Sequence, residues 1–563
     1  MTEQPAARRS FLAGLLDRAV GWALGLPAET SGYTTQPVKV PLPDGAALAA
    51  DLYRPTDHDR PLGTVLVRTP YGRGIISSLL LVRIYAARGY QVLLVSARGT
   101  FGSTGVFDGG RCEAGDGQDV VAWMRSQPWY TGTFATLGSS FSGFTQWALL
   151  SDPPADLVAA VIGVAPHDYA ERLWGTGAFA LQQHLSWSDT MAHQETRGLW
   201  RQLAAVRDAG HLDPLTKSVP LEPALRRYFG DRAPWLFRNI GRPDLDDEGW
   251  APLRHGKALE RADVPILLTT GWHDVSFEQT VEQYHALDRR GCAVALRIGP
   301  GAHLDAYDPG DAARETLRWL DAHLARKSTA DDDDDDDDEF PAVRVRRCGD
   351  APEWLEMPKW PPPTSHRELF LAADGHLGPE QPSDAGVAGA GAVAFTFDPS
   401  DPTPTVGGPV MIGGGSVDDT ALAQRADVVT FTTAPLTDAL DIMGRPSVDL
   451  VHSSDNPFCD LFVRLSVVDA RGRSRNVTEQ YRRLNGNASR DPKLVALDLP
   501  DTAFRVPVGS RIRLVVAGGN FPKYGFNLGS GEDPATGTTL RPARHTVHFG
   551  RGSDSCLVLP VSS

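Results

Sequence analysis

From residue 64 onward, short runs of aliphatic and β-branched residues alternate with stretches whose apolar positions recur every three or four residues. Runs at 64–68, 91–96, 134–137, 157–164, 265–270 and 293–298 are short and largely apolar, as strands covered on both faces are. Between several of them, 76–88, 117–126 and 311–324 carry helical periodicity. This alternation predicts a mostly parallel sheet with helices packed on its faces. The stretch 169–252 breaks the rhythm. It is Trp-rich (Trp174, Trp187, Trp200, Trp235, Trp250) and helical in places, the texture of a cap inserted over a sheet edge.

Beyond about residue 340 the texture changes to short alternating runs. Those at 368–372, 392–397, 428–432, 461–468, 494–497, 511–516 and 545–549 are separated by Gly, Pro, Asp and Asn clusters, and helical periodicity nearly vanishes. The pattern predicts an antiparallel sandwich or jelly roll. The expected fold is thus an α/β domain at 33–168 and 253–328 with a helical cap at 169–252. A linker at 329–340 leads to an all-β jelly-roll domain at 341–563, and residues 1–32 form a helical extension.

Composition refines this picture more than it changes it. A chain of 563 residues exceeds what one hydrophobic core supports, in keeping with several domains. About half of the formal charge of −15 sits in one acidic block at 331–338. Such a block is expected to be solvated, lengthening the inter-domain connection. An EF-hand spaces its acids and needs a Gly turn, so calcium is not expected there, and nothing else calls for a metal or cofactor. No basic stripe occurs, and nucleic acid is not an expected partner. The five cysteines (Cys112, Cys292, Cys348, Cys459, Cys556) lack C-x-x-C spacing and read as buried free thiols, suited to a reducing cytoplasm.

The N-terminus offers two readings. Arg8 and Arg9, followed by Ser10, Phe11 and Leu12, resemble a twin-arginine export signal, the alternative to a cytoplasmic location. However, Asp17 and Arg18 interrupt the apolar stretch and no A-x-A site follows. An amphipathic helix packing Phe11, Leu15, Val20, Trp22 and Leu24 onto the α/β domain explains the segment as well. No run of about 18 uncharged apolar residues is present, so no membrane span is expected.

The strongest chemical signal follows the run 134–137. There the chain reads Gly138-Ser139-Ser140-Phe141-Ser142-Gly143 and passes at once into a helical pattern. A nucleophile on a sharp strand-to-helix turn needs small neighbours, and Ser140 stands two residues after Gly138, as G-x-S-x-G requires. The second glycine comes one residue late, with Ser142 in its usual place. A Gly/Ser-rich turn without chemistry is the bland reading. The later strands weigh against it: Asp274 follows the run 265–270 and His303 follows 293–298, in a glycine-rich loop. Ser, Asp, His is the chain order of such hydrolases, and ligands bind beyond strand C-termini in open α/β sheets. In these roles His303 takes the Ser140 proton, Asp274 orients and stabilises the imidazole, and the Phe141 N–H donates to the oxyanion. His273 is a rival base, better placed as a supporting residue.

Taken together, Arg68-Thr-Pro-Tyr71-Gly-Arg, Ser96-Ala-Arg98-Gly99-Thr-Phe-Gly102-Ser-Thr-Gly105, the Ser140 turn, Gly271-Trp-His-Asp274 and Gly299-Pro-Gly-Ala-His303 resemble the cocaine esterase/X-prolyl dipeptidyl-peptidase superfamily of α/β-hydrolases. The resemblance spans nearly the whole chain from Tyr33. It implies an α/β-hydrolase domain with a helical cap and a C-terminal jelly roll, and it implies that Tyr71 donates its hydroxyl to the oxyanion. Two departures stand out. Phe141 replaces the tyrosine that commonly follows the nucleophile. Val275, Ser276 and Phe277 stand where relatives acting on α-amino acid esters carry acids, with Glu278, Glu171 and Asp168 the nearest substitutes, so such a substrate is disfavoured.

Weaker signals remain. Trp174, Phe179 and Trp187 are candidates to line an acyl pocket or, equally, to fill the cap core. Arg98 with Glu113, Asp116 and Asp119 reads as a buried ion-pair network supporting the site, and 520–524 as packing near a domain interface. The sequence therefore points to a serine hydrolase acting on a small ester or a short peptide, with room for a homodimer. X-Pro dipeptide release is the second reading, and a non-catalytic carbohydrate-binding jelly-roll protein is the third.

Overall fold

The computed structural model describes residues 5–57, 60–195, 209–326, 340–380, 391–484, 486–550 and 553–562. Trp200 and the acidic block lie outside the described residues. The α/β domain is built on one sheet: β1 (Tyr33–Pro41), β2 (Ala47–Pro55), β3 (Thr64–Thr69), β4 (Gln91–Ser96), β5 (Phe134–Ser139), β6 (Leu157–Gly163), β7 (Ile266–His273), β8 (Val294–Ala302), β9 (Val343–Gly349) and β10 (Glu353–Met357). The spatial order is 1-2-4-3-5-6-7-8-9-10, with β3 to β9 parallel, β2 antiparallel to β1 and β4, and β10 antiparallel to β9.

Side chains alternate across a strand, so each central strand feeds two apolar layers. Leu66, Leu93 and Val95 face the helices Glu113–Arg125, Phe141–Leu150 and Phe277–Arg289. Val65, Val67, Val92 and Leu94 face the segment around Val82–Tyr85 and the helix Pro309–Leu320. This double burial is why the strands read as unbroken apolar runs. The cap leaves the sheet after β6 and returns before β7. Its helices Tyr169–Trp174, Leu181–His193, Leu221–Phe229 and Pro234–Ile240 share a core with Phe107, Phe141 and Phe144 of the α/β domain and Phe521 of the β domain. In the β domain, Val428–Thr432, Arg511–Ala517, Asp460–Val468 and Ser474–Arg483 form one antiparallel sheet. A second antiparallel group, including Ser447–Ser454, Ala543–Phe549 and Cys556–Val561, packs on it around Leu450, Val463, Leu514 and Leu557.

Strand β9 ties the two domains together. It runs parallel to β8, and its last residues, Cys348 and Gly349, pair with Phe504 and Arg505 of the β domain. A boundary drawn at 341 therefore hands the β domain a strand that the catalytic sheet also uses. Of the cysteines, Cys112 is exposed and only Cys459 and Cys556 are buried, so the expectation of uniformly buried thiols fails. Among the described residues no helix is long and apolar enough to cross a membrane.

The N-terminal helix Phe11–Ala23 forms, but it turns a different face inward than its apolar pattern suggests. Gly14, Asp17 and Gly21 are its buried positions, with Val20 and Leu24 packed beside them. Phe11, Leu15 and Trp22 point outward, Trp22 at 85% exposure. The reason is electrostatic. The buried Asp17 carboxylate meets Arg83 at 2.5 Å and Arg9 at 3.3 Å and accepts from the Tyr33 hydroxyl at 2.8 Å. Removing one member of a buried ionic cluster strands the others. Asp17→Asn should therefore cost about 3–5 kcal/mol, read as a lower melting temperature together with faster proteolysis within the first 30 residues. An unchanged cleavage pattern would refute the tether.

Candidate active site

The strand β5 ends at Ser139, and the helix Phe141–Leu150 starts one residue after Ser140. Ser140 sits between them at φ +56°, ψ −124°, a conformation that non-glycine residues rarely adopt. Its carbonyl accepts from the Gly143 and Phe144 amides at 3.0 and 2.9 Å, while its own amide donates to the Gly163 carbonyl at 2.8 Å. These bonds hold the turn and present the side chain above the sheet. The displaced second glycine has a steric cause: a Cβ on Gly143 would lie 2.5 Å from that of Ala165. Ser142, in that glycine's usual place, is buried.

His303 follows the last residue of β8, and Asp274 the last residue of β7. A Cβ on Gly301 would stand 2.0 Å from the Asp305 carbonyl oxygen, so only glycine lets the His303 loop fold back on itself. The Ser140 Oγ is 2.9 Å from His303 Nε2, and His303 Nδ1 is 2.6 Å from Asp274 Oδ1. The other carboxylate oxygen accepts from the Thr270 hydroxyl at 3.0 Å. Asp274 and His303 are almost fully buried. The three residues named from sequence thus form one continuous chain of contacts. His273 is not in it; burial pushes its imidazole down to about 4, and the charges it feels come from Glu479, Arg464, Lys523 and Asp305.

The Tyr71 hydroxyl lies against the Ser140 side chain and the Phe141 N–H, and burial raises its pKa, so it stays a protonated donor. The Trp187 indole N–H donates to the phenol oxygen at 3.3 Å. That bond occupies the phenol's acceptor side and leaves its proton for another partner. Trp187 also stacks on Phe141 at 5.8 Å. The narrow cavity over Ser140 is lined by Tyr169, Arg172, Leu173, Gln183, His184, Trp187 and Met411. Trp187 is thus at the cavity, whereas Trp174 and Phe179 are not. Trp174 donates to the Asn239 carbonyl at 2.9 Å and packs on Phe179 inside the cap core.

A second, wider cavity of about 400 Å³ lies where cap, α/β domain and β domain meet, and it shares Arg172 and Gln183 with the narrow one. Glu171, Glu278 and Glu282 line it beside Asp274. All three side chains keep contact with solvent, yet crowding by the cavity walls raises their carboxyls, and for Glu282 the neighbouring Glu171, Asp168 and Glu278 add to the effect. The segment 520–524 supplies Lys523, which pairs with Glu479 at 2.9 Å on the same wall, and Tyr524. The supporting ion pairs run Asp44–Arg98–Asp116 and Arg68–Glu113, without Asp119.

Sequence reasoning missed Thr270, the Trp187–Tyr71 bond, Arg172 and Met411. Thr270 carried a faint signal, a hydroxyl four residues before the acid. Met411 carried none, since it comes from the β domain and is held at the site by its backbone N–H, which donates to the Gln182 side-chain oxygen at 3.2 Å.

Comparison with known proteins agrees with this architecture. The X-Pro dipeptidyl-peptidase (S15) family matches residues 44–305, and the X-Pro dipeptidyl-peptidase C-terminal non-catalytic domain matches 337–558. Cocaine esterase from Rhodococcus sp. (strain MB1 Bresler) is 27% identical, covering 93% of this chain and 98% of that protein. Two solved structures share the fold at a TM-score of 0.76. One is an aminopeptidase from the marine sediment archaeon Thaumarchaeota archaeon, 21% identical, covering 94% of this chain and 96% of that one. The other is an α-amino acid ester hydrolase, 22% identical, covering 95% and 98%. A non-catalytic jelly-roll protein has no support among these relatives. The chain is a hydrolase, and it belongs to the cocaine esterase/X-prolyl dipeptidyl-peptidase superfamily of α/β-hydrolases.

Proposed function

We propose that this protein is a serine esterase that cleaves carboxylic esters through an acyl-enzyme on Ser140. The observation that carries the reading is the unbroken contact from Ser140 through His303 to Asp274, at 2.9 and 2.6 Å. In the first half-reaction the Ser140 Oγ attacks the carbonyl carbon while His303 Nε2 takes its proton; Asp274 holds Nδ1–H and offsets the imidazolium charge. The tetrahedral oxygen takes hydrogen bonds from the Tyr71 hydroxyl and the Phe141 amide. Collapse expels the alcohol with the proton from Nε2. Water, activated by the same nitrogen, then releases the acid and frees Ser140.

A fluorophosphonate probe should label the protein stoichiometrically, with the adduct on the peptide containing Ser140 and loss of p-nitrophenyl ester turnover in parallel. Labelling elsewhere, or turnover that survives labelling, would sink the reading. Tyr71→Phe tests the oxyanion role. It should lower kcat by about 10²- to 10³-fold with KM little changed. A drop confined to KM would make Tyr71 a wall of the site instead.

A second reading has its own observation. Glu171, Glu278 and Glu282 converge on the junction cavity beside Asp274, so substrates with a free ammonium group, an X-Pro peptide or an α-amino acid ester, have carboxylates to meet there. Under that reading X-Pro-p-nitroanilide turnover exceeds that of p-nitrophenyl butanoate.

A further inference from the structure

Among the described residues, Arg172 is the one charged side chain lining the narrow cavity over Ser140. It stands on the cap helix Tyr169–Trp174 and lines both cavities, so it marks the neck between them. Among the described residues it forms no ion pair; its side-chain neighbour is the Tyr169 ring, with Cζ 5.8 Å from the centroid. The carboxyls of the wide cavity lie in the field of other cations, not of Arg172: Glu171 feels Arg254, Glu278 feels Lys523 and Arg445, and Glu282 feels Arg289. The field of Arg172 falls instead on Tyr71, Tyr169 and His184, all on the Ser140 side. His184 offers no compensating charge. Burial first and Arg172 second push it down to about 3, and its Nε2 lies 3.1 Å from the Asn239 side-chain amide. Apart from Arg172 and Gln183, the narrow cavity is walled by aromatic, aliphatic and neutral groups, so the half-buried guanidinium meets no anion on that side.

We infer that Arg172 is a specificity-determining residue that binds a carboxylate on the substrate, so that the preferred esters are anionic, such as monoesters of dicarboxylic acids. A guanidinium matches a carboxylate with two parallel hydrogen bonds, the stronger and more directional kind. In a narrow, half-buried site that pairing discriminates against a neutral analogue, which leaves the cation unpaired. The inference rests on the esterase reading above and adds the substrate class to it. The carboxylate can sit on the acyl chain or on the leaving group, and the two positions are separable by experiment.

The test compares kcat/KM for four esters. The mono-p-nitrophenyl ester of glutaric acid carries its charge on the acyl side, with p-nitrophenyl butanoate as neutral control. 4-(Butanoyloxy)benzoate carries it on the leaving group, with its methyl ester as control. In the wild-type protein one anionic ester should exceed its control by about 10- to 100-fold, mostly through KM. That ratio should collapse in Arg172→Leu, recover in part in Arg172→Lys, and invert in favour of the neutral control in Arg172→Glu. No preference for either anionic ester in the wild type overturns the proposal. So does an equal fall for charged and neutral esters in Arg172→Leu, which would make Arg172 a general electrostatic aid to the oxyanion. If no ester is turned over at all, or turnover is untouched by the fluorophosphonate, the esterase reading itself has failed, and that is distinguishable from a neutral-preferring but active enzyme.

Discussion

Replacing Ser140 with alanine should lower kcat for ester hydrolysis by about 10⁴- to 10⁶-fold and leave the fold intact. The nucleophile is removed while the Tyr71 hydroxyl and the Phe141 amide stay, so weak residual catalysis by water is expected, not zero. The stability consequence separates this site from an ordinary serine. Ser140 is held at φ +56° by its neighbours' hydrogen bonds, and such a conformation stores about 1–3 kcal/mol. Alanine keeps that strain and loses the side-chain contacts to His303 and Tyr71. Glycine relieves it, so Ser140→Gly should be equally inactive but melt higher than Ser140→Ala. Calorimetry on the two variants, with rates measured against p-nitrophenyl butanoate, checks both statements. Turnover within tenfold of wild type in either variant would place the chemistry on another residue.

The second large effect is expected at Asp274. Its two oxygens are both acceptors in use, one facing His303 Nδ1 at 2.6 Å and the other taking the Thr270 hydroxyl at 3.0 Å. Asparagine has one acceptor and one donor. With its amide toward His303 the imidazole flips to the tautomer that cannot take the Ser140 proton. With its oxygen toward His303 the Thr270 hydroxyl has to turn and accept, and the imidazolium loses its counter-charge in either case. Asp274→Asn should therefore reduce kcat by about 10³- to 10⁴-fold, with KM and fluorophosphonate access largely preserved. Stopped-flow acylation rates provide the direct measurement. A loss below tenfold would mean that the imidazole is oriented by something other than Asp274.

How far these sites were legible in the sequence depended on how local their cause was. Ser140, Asp274 and His303 each follow a strand buried on both faces, and an unbroken apolar run marks such a strand plainly. The short loops beyond those strands then fix where the side chain emerges. The cap aromatics were not separable this way. Trp174, Phe179 and Trp187 lie within fourteen residues, and which of them faces Ser140 depends on how the cap docks, a matter of contacts far apart in the chain. Met411 is the extreme case, a β-domain side chain beside a nucleophile some 270 residues earlier. The hairpin β1–β2 also escaped notice, because Thr, Gln, Pro and Lys interrupt β1 and Asp51 interrupts β2, which leaves a weak apolar pattern. The helix Phe11–Ala23 misled for another reason. Hydrophobicity assigned its inner face, but a buried aspartate with two arginines determines how it docks.

Strand β9 also bears on the order in which this protein is made. A ribosome delivers β3 to β8 first, with the whole cap between β6 and β7, and only then reaches Val343. Until β9 emerges, the parallel sheet presents β8 as a bare edge, and an unpaired edge is a template for pairing with other chains. The strand that closes this edge belongs in part to the next domain, since Cys348 and Gly349 pair with Phe504 and Arg505, residues made much later still. On the proposed mechanism, the nascent α/β domain thus has Ser140, Asp274 and His303 all synthesised before it is complete in architecture. Expression of fragments should reflect this: a chain ending after Met357 should stay soluble more readily than one ending after Ala325.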